Sequence, residues 1–158
     1  MHLFCSFFHW LHQPNRKSYP CACIVTTMAI YGLGAYYQQD VTSEFLSNEI
    51  ACVGWDITDA PALCNMMAHI KVGDIIYIKS HPIDQGLIIK AVGVVVDDED
   101  ISTSLGEVCL RVKWIWVGRK ELGKIRDKYN VRNNTLYEEH NPSVQRVVVG
   151  LLTSECTR

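Results

Sequence analysis

The sequence predicts a small α+β domain: a curved sheet of five to six strands that closes into a barrel, with two helices inserted early and another at the C-terminus. Three observations predict it. The length of 158 residues suits one domain and nearly excludes a second. Several runs rich in Val, Ile and Tyr have strand length and are separated by Gly, Asp, Asn or Ser. Helix-start signals cluster between the early runs and appear again at Asn141-Pro142. Closure is expected because a barrel is the usual way for a small sheet to remove its edges.

The elements follow in order. Residues 29–36 (Ala-Ile-Tyr-Gly-Leu-Gly-Ala-Tyr) alternate as a strand, with Gly32 and Gly34 placed where another group approaches the backbone. Thr42 or Ser43 offers an N-cap and Glu44 an acidic first turn for a short helix ending near Asn48. Residues 50–55 (Ile-Ala-Cys-Val-Gly-Trp) are a compact apolar strand, and Asp56-Ile-Thr58-Asp59 begins a turn. Residues 59–69 form the next helix, with Pro61 in its first turn and Leu63, Met66, Met67 and Ile70 on one face. Lys71-Val-Gly-Asp74 turns into a strand over Ile75–Ser80, His81 to Gly86 is a loop, and Leu87 to Val96 is a long strand able to bend at Gly93. The acidic stretch from Asp97 to Gly106 is expected as a solvated hairpin connection; it lacks the spacing of a calcium loop. Glu107–Val117 alternates as another strand, which places Trp114 and Trp116 on the same side. Residues 119–132 hold a local excess of four positive charges and read as a solvated helix or loop, or as a phosphate-contacting rim. Thr135–Glu138 is a last short strand. Val144, Val147, Val148, Leu151 and Leu152 then mark one face of a C-terminal helix, because their period outweighs the modest helix penalty of β-branched residues.

The first 27 residues differ from the rest. Their apolar run lacks a positive flank before it and stops at Pro14, too short for a span and unlike a signal peptide. The segment holds His2, Cys5, His9, His12, Cys21 and Cys23, yet its spacing does not match a zinc finger. It is expected to be a poorly ordered extension, or translated sequence upstream of a true start at Met28, so that deleting it leaves the melting transition nearly unchanged. The organised domain would run over 28–153, with a tail at 154–158. Seven cysteines at irregular spacing, three of them (Cys52, Cys64, Cys109) inside apolar segments, are expected to be reduced core residues of a cytoplasmic protein. A net charge of −2 rules out a generally basic, sequence-blind nucleic-acid coat while leaving room for a local basic face.

The chain contains no P-loop, nucleophile elbow, H-E-x-x-H or zinc-deaminase signature. What stands out is the placement of aromatics near strand ends: Tyr36, Tyr37, Trp55, Trp114 and Trp116. If the sheet closes, these ends converge on one concavity where flat side chains stack on a flat ligand, each contact contributing about 1–3 kcal/mol. Asp56, Thr58, Lys79 and Ser80 supply polar groups beside them to read a base edge. Trp114 and Trp116 are also explained as plain core residues.

The run Ile50-Ala-Cys-Val-Gly-Trp-Asp56, a following helix, then residues 70–80 (Ile-Lys-Val-Gly-Asp-Ile-Ile-Tyr-Ile-Lys-Ser) and 88–94 (Ile-Ile-Lys-Ala-Val-Gly-Val) resemble the PUA-like superfamily. The likeness is strongest to its EVE and YTH relatives and to the modified-base-reading domains of restriction systems, and it covers about residues 29–117. The resemblance implies a PUA-like barrel that accepts a flipped, modified base in an aromatic pocket, with Trp55 as pocket wall, Ser80 at the strand end beside it and Tyr36 near the mouth. The expected function is therefore a nucleic-acid or nucleotide binding module, in phage defence or restriction, with DNA or RNA carrying a modified base as partner and a nuclease or motor protein as a further one. Its ligand-binding residues would be Tyr36, Trp55, Asp56, Lys79, Ser80, Trp114 and Trp116, and its phosphate contacts Arg119, Lys120, Lys124, Arg126 and Arg132. No cofactor, metal or membrane is expected, and no catalytic residue. The alternatives are a small hydrolase acting on a modified nucleoside, with Lys79 or Asp56 as acid or base, and a protein-interaction domain whose aromatics are core.

Overall fold

In a computed structural model, residues 28–126, 128 and 131–155 are described, except for the side chains of 98–101 and 155. The leader and its potential metal ligands therefore lie outside the described residues. The elements in chain order are β1 (Ile30–Gly34), α1 (Thr42–Asn48), β2 (Ile50–Val53), α2 (Pro61–Ala68), β3 (Ile75–Ser80), β4 (Leu87–Thr103), β5 (Gly106–Gly123), β6 (Leu136–Glu138) and α3 (Pro142–Glu155). They make the α+β domain expected, built on one six-stranded sheet in the order β2-β5-β4-β3-β1-β6. Only β1 and β3 run parallel; the other pairs are antiparallel.

The sheet is strongly curled. In a flat sheet β1 and β2, four strand spacings apart, would be separated by about 19 Å. Yet the Tyr37 hydroxyl, in the loop after β1, donates to the Cys52 carbonyl of β2 at 2.9 Å. Its ring lies over Gly54, where a Cβ would come within 2.5 Å of it. The apolar side chains of β1, β2, β3 and the middle of β5 thus surround one core, filled by Phe45 of α1 and Cys64 and Met67 of α2. The other face of the sheet packs Ile75, Tyr77, Ile89 and Val92 against Val144 and Val148 of α3. Asn141 caps α3 as read, its Oδ1 accepting from the Ser143 amide.

Several expectations need correction. Val41, not Thr42 or Ser43, occupies the N-cap position of α1, and it is Asp40 that accepts the Thr42 amide. Met66 of α2 points outward while Cys64 takes its place in the core. The segment from Asp97 onward is not a loop: β4 continues to Thr103 and β5 from Gly106 to Gly123, so part of the basic stretch is strand. Acidic side chains do not interrupt a ladder whose backbone groups are paired, and β2 holds β5 from its other side over Val108–Arg111. Trp114 and Trp116 do not face the same side. Val92 pairs with Trp116 and Gly93 with Trp114, so Ile115 is an extra residue on β5, and such a bulge resets the alternation. Trp114 packs in the first core, donating its indole N–H to the Phe45 carbonyl at 3.0 Å, and Trp116 packs in the second. Finally, Cys52 and Cys109 are not reduced. They face each other directly across β2 and β5 and are joined in a disulfide, while Cys64 remains free and buried.

Candidate functional site

Gly32 of β1 makes room for the side chains behind the site. Tyr31 and Leu33 of β1 and, just beyond, Ala35 pack toward the first core; Gly32 and Gly34 face the other way. Over Gly32 lie two phenols: a Cβ there would meet Tyr137 Cζ at 2.7 Å and the Tyr77 hydroxyl at 2.8 Å. Tyr77 donates to Glu139 Oε2 at 2.9 Å, so the 2.5 Å contact between the two phenols takes its proton from Tyr137. Glu139 also accepts from Arg132 Nη2 at 3.0 Å and from the Asn141 amide at 2.8 Å, which satisfies a buried carboxylate. Burial pushes both phenols well above the usual tyrosine range.

Two residues along β1, Gly34 pairs with Lys79, whose ammonium lies 3.8 Å from where a Cβ would stand. Lys79 is only 6% exposed and donates to the main-chain carbonyls of Arg132 and Asn134, both at 2.6 Å. The Tyr137 ring centroid lies 5.5 Å away. Burial without a carboxylate partner pushes the amine down to about 8.

Lys79 stands at the floor of a cavity of about 360 Å³ at the C-terminal ends of β1 and β3. Around it are Tyr36 on the rim, Ser80 and His81 from the end of β3, Lys90 of β4, and Arg132, Asn133 and Thr135 before β6. The His81 Nδ1–H donates to Asn133 Oδ1 at 2.8 Å, tying two walls together. Lys90 pairs with Asp40. Burial alone would raise the Asp40 carboxyl, but hydrogen bonds from Lys90 and Thr42 and the Lys90 charge hold it below the usual range. That pair anchors the loop after β1, which is further closed by the Tyr36–Asp40 bridge and a Val41 amide bond to the Ala35 carbonyl. Tyr36 is therefore presented by a tight loop, 72% exposed.

The structure thus brings Tyr36, Lys79 and Ser80 together. It does not place Trp55, Asp56, Trp114 or Trp116 on the cavity wall. Trp55 stands 51% exposed at the end of β2, next to the Gly54 on which Tyr37 rests. Asp56 is exposed and accepts from both the amide and the hydroxyl of Thr58, which hold its carboxyl low. Arg132, expected among phosphate contacts, is buried at 2% exposure and ion-paired with Glu139. Arg119, Lys120, Lys124 and Arg126 are exposed. Register places Lys120 beside Ile89, and Ile89 beside Lys79, so the basic end of β5 lies two strand spacings from the cavity floor, at the same end of the sheet. Arg119 there also reaches Glu121 and Gln85. Lys90, His81, Asn133 and Thr135 were not foreseen. Lys90 had a signal, a lone charge interrupting the apolar run Leu87–Val96; the others had none.

Among the described residues, no cluster of three or more metal-ligating side chains occurs and no helix is long and apolar enough to cross a membrane. No protein-family model matches the chain, and no curated protein matches it significantly. Among solved structures it is similar to the YTH domain of the Zygosaccharomyces rouxii MRB1 protein, a crystal structure in complex with N6-methyladenosine RNA. The likeness has a TM-score of 0.53 at 15% identity and covers 90% of this chain and 91% of that one. The architecture of this chain is accordingly an α+β fold of the YTH type.

Proposed function

We propose that the protein is a nucleic-acid reader that takes an extruded, modified base into the cavity at the ends of β1 and β3. The observation that carries this reading is a cationic cavity of ligand size rimmed by the exposed Tyr36, on a fold shared with a domain solved with methylated RNA. Extrusion costs a few kcal/mol and stacking on an aromatic returns about 1–3 kcal/mol per contact, so Tyr36 with one further contact offsets it. Trp55, exposed beside the Gly54 on which Tyr37 rests, is the second stacking surface in this reading, contacting a flanking base. Ser80 reads the base edge, and Lys120, Lys124 and Arg126 contact phosphates. A PUA-like or EVE-like ancestry and a role in restriction beside a nuclease or motor belong to the same proposal and rest on the sequence resemblance.

The test is titration with single- and double-stranded DNA and RNA, each with and without one modified base, by fluorescence anisotropy. The expected result is a preference for a modified oligonucleotide that Tyr36→Ala lowers by about 1–3 kcal/mol. Equal affinity of wild type and Tyr36→Ala for every oligonucleotide would overturn the reading.

A further inference from the structure

The cavity's charges are all of one sign. Its wall carries Lys79, Lys90 and Arg132 and no carboxylate. Two of the three cations are offset from behind: Lys90 by Asp40 and Arg132 by Glu139. Lys79 is not. An ammonium has three donors, and the carbonyls of Arg132 and Asn134 engage two of them. The third has no hydrogen-bond acceptor among the described residues, although the amine is nearly fully buried at the cavity floor. A buried charge in this condition wants an anion with an oxygen acceptor.

We infer that the group reaching the floor of this cavity is an anionic oxygen acceptor, held by the third N–H of Lys79. Two sources share that chemistry: a carboxylate carried by a modified base, and the phosphate of a nucleotide. The inference rests on the cavity being the ligand site proposed above. It narrows the ligand, because a neutral methylated base offers the floor no charge.

The groups that face Lys79 are few. From its own strand end comes His81, from β4 the Lys90 ammonium paired with Asp40, from the segment before β6 the Arg132 guanidinium paired with Glu139, and from β6 the Tyr137 ring. With the amine lowered to about 8, charge on Lys79 is lost as pH rises through that value.

The experiment compares oligonucleotides carrying one 5-carboxyl pyrimidine with the same strands carrying its neutral 5-carbamoyl isostere or a 5-methyl group. A second arm compares a nucleoside 5′-monophosphate with the nucleoside. One arm is expected to show at least about tenfold tighter binding of the anion near neutral pH, which identifies the source. Lys79→Gln should reduce that ratio to near one. In the wild type, which needs no variant to fold, the ratio should shrink toward one between about pH 7 and about pH 9.5. Anion binding that depends on Lys79 without any oligonucleotide binding supports this inference and sinks the reader proposal. Tyr36-dependent oligonucleotide binding with no anion preference in either arm, or a preference unchanged by pH and by Lys79→Gln, overturns this inference and leaves the reader proposal standing.

Discussion

Gly32 sits where the phenols of Tyr77 and Tyr137 meet, and its missing Cβ is the condition for their meeting. A methyl there would stand 2.7 Å from Tyr137 Cζ and 2.8 Å from both phenol oxygens, none of which can retreat without breaking the chain to Glu139. Overpacking of this kind costs about 1–3 kcal/mol, and a buried polar group left unpaired adds about as much. Gly32→Ala should therefore lower unfolding free energy by about 2–5 kcal/mol in urea titration, whereas Gly150→Ala, which meets nothing within 4 Å, should not lower it at all. The same cluster sets an alkaline signature. Lys79 releases its proton near 8 in the folded chain but only near 10.5 when unfolded, so between those values the unfolded state binds more protons and stability rises with pH. Tyr77 and Tyr137 act in the opposite sense, staying protonated in the fold above 10.0, so stability falls beyond that value. Denaturation across this range should show both limbs, with the rising one absent in Lys79→Met and the falling one reduced in Tyr77→Phe. A profile identical in all three proteins would contradict the cluster as described.

Among the elements, β2 depends most on covalent support. It has four residues, borders the sheet, and among the described residues pairs only with β5. The Cys52–Cys109 disulfide ties it there across a sequence separation of 57 residues. Chain-entropy arguments give a closed loop of that size about 4 kcal/mol, with measured values for disulfides usually about 2–4. Reductant, or the double variant Cys52→Ala/Cys109→Ala, should accordingly lower stability by about 2–4 kcal/mol in chemical denaturation, and an unchanged midpoint would count against the bond. This bond was not legible in the sequence, because strand pattern alone does not say which strands are neighbours. Local patterns did carry the elements themselves: β3 matches its expected bounds to the residue, Asn141-Pro142 starts its helix as expected, and the helix expected over 59–69 begins at Pro61. They failed where one extra residue mattered. The bulge at Ile115 leaves no mark in a run of alternating large side chains, so two tryptophans assigned to one face lie on opposite ones. The site was legible only where unusual residues sat at strand ends. Tyr36, Lys79 and Ser80 qualified, whereas His81, Asn133 and Thr135 join through the parallel β1–β3 pairing and the return of the chain to β6, both non-local.

On the scale of the whole molecule, a net charge of −2 hides an arrangement with direction. Lys79, Lys90 and Lys120 are brought to one end of neighbouring strands β3, β4 and β5, with Arg119 beside them, while the acidic residues 97–100 lie toward the opposite, hairpin end of β4. An approaching polyanion meets the positive end with less repulsion, which orients encounter without making the protein generally basic. Two recognition terms should then separate by measurement. Phosphate contacts release counterions, so the slope of log affinity against log salt falls by about 0.7–0.9 for each contact removed. Lys120→Glu and Arg126→Glu should each flatten the slope and weaken modified and unmodified strands alike. Tyr36→Ala should leave the slope unchanged and erase only the difference between the two strands, because stacking carries no net charge. If the lysine and arginine variants instead changed the preference for the modified base while leaving the salt slope intact, the basic end of β5 would belong to the pocket rather than to a phosphate track, and the path of the strand across this face would have to be redrawn.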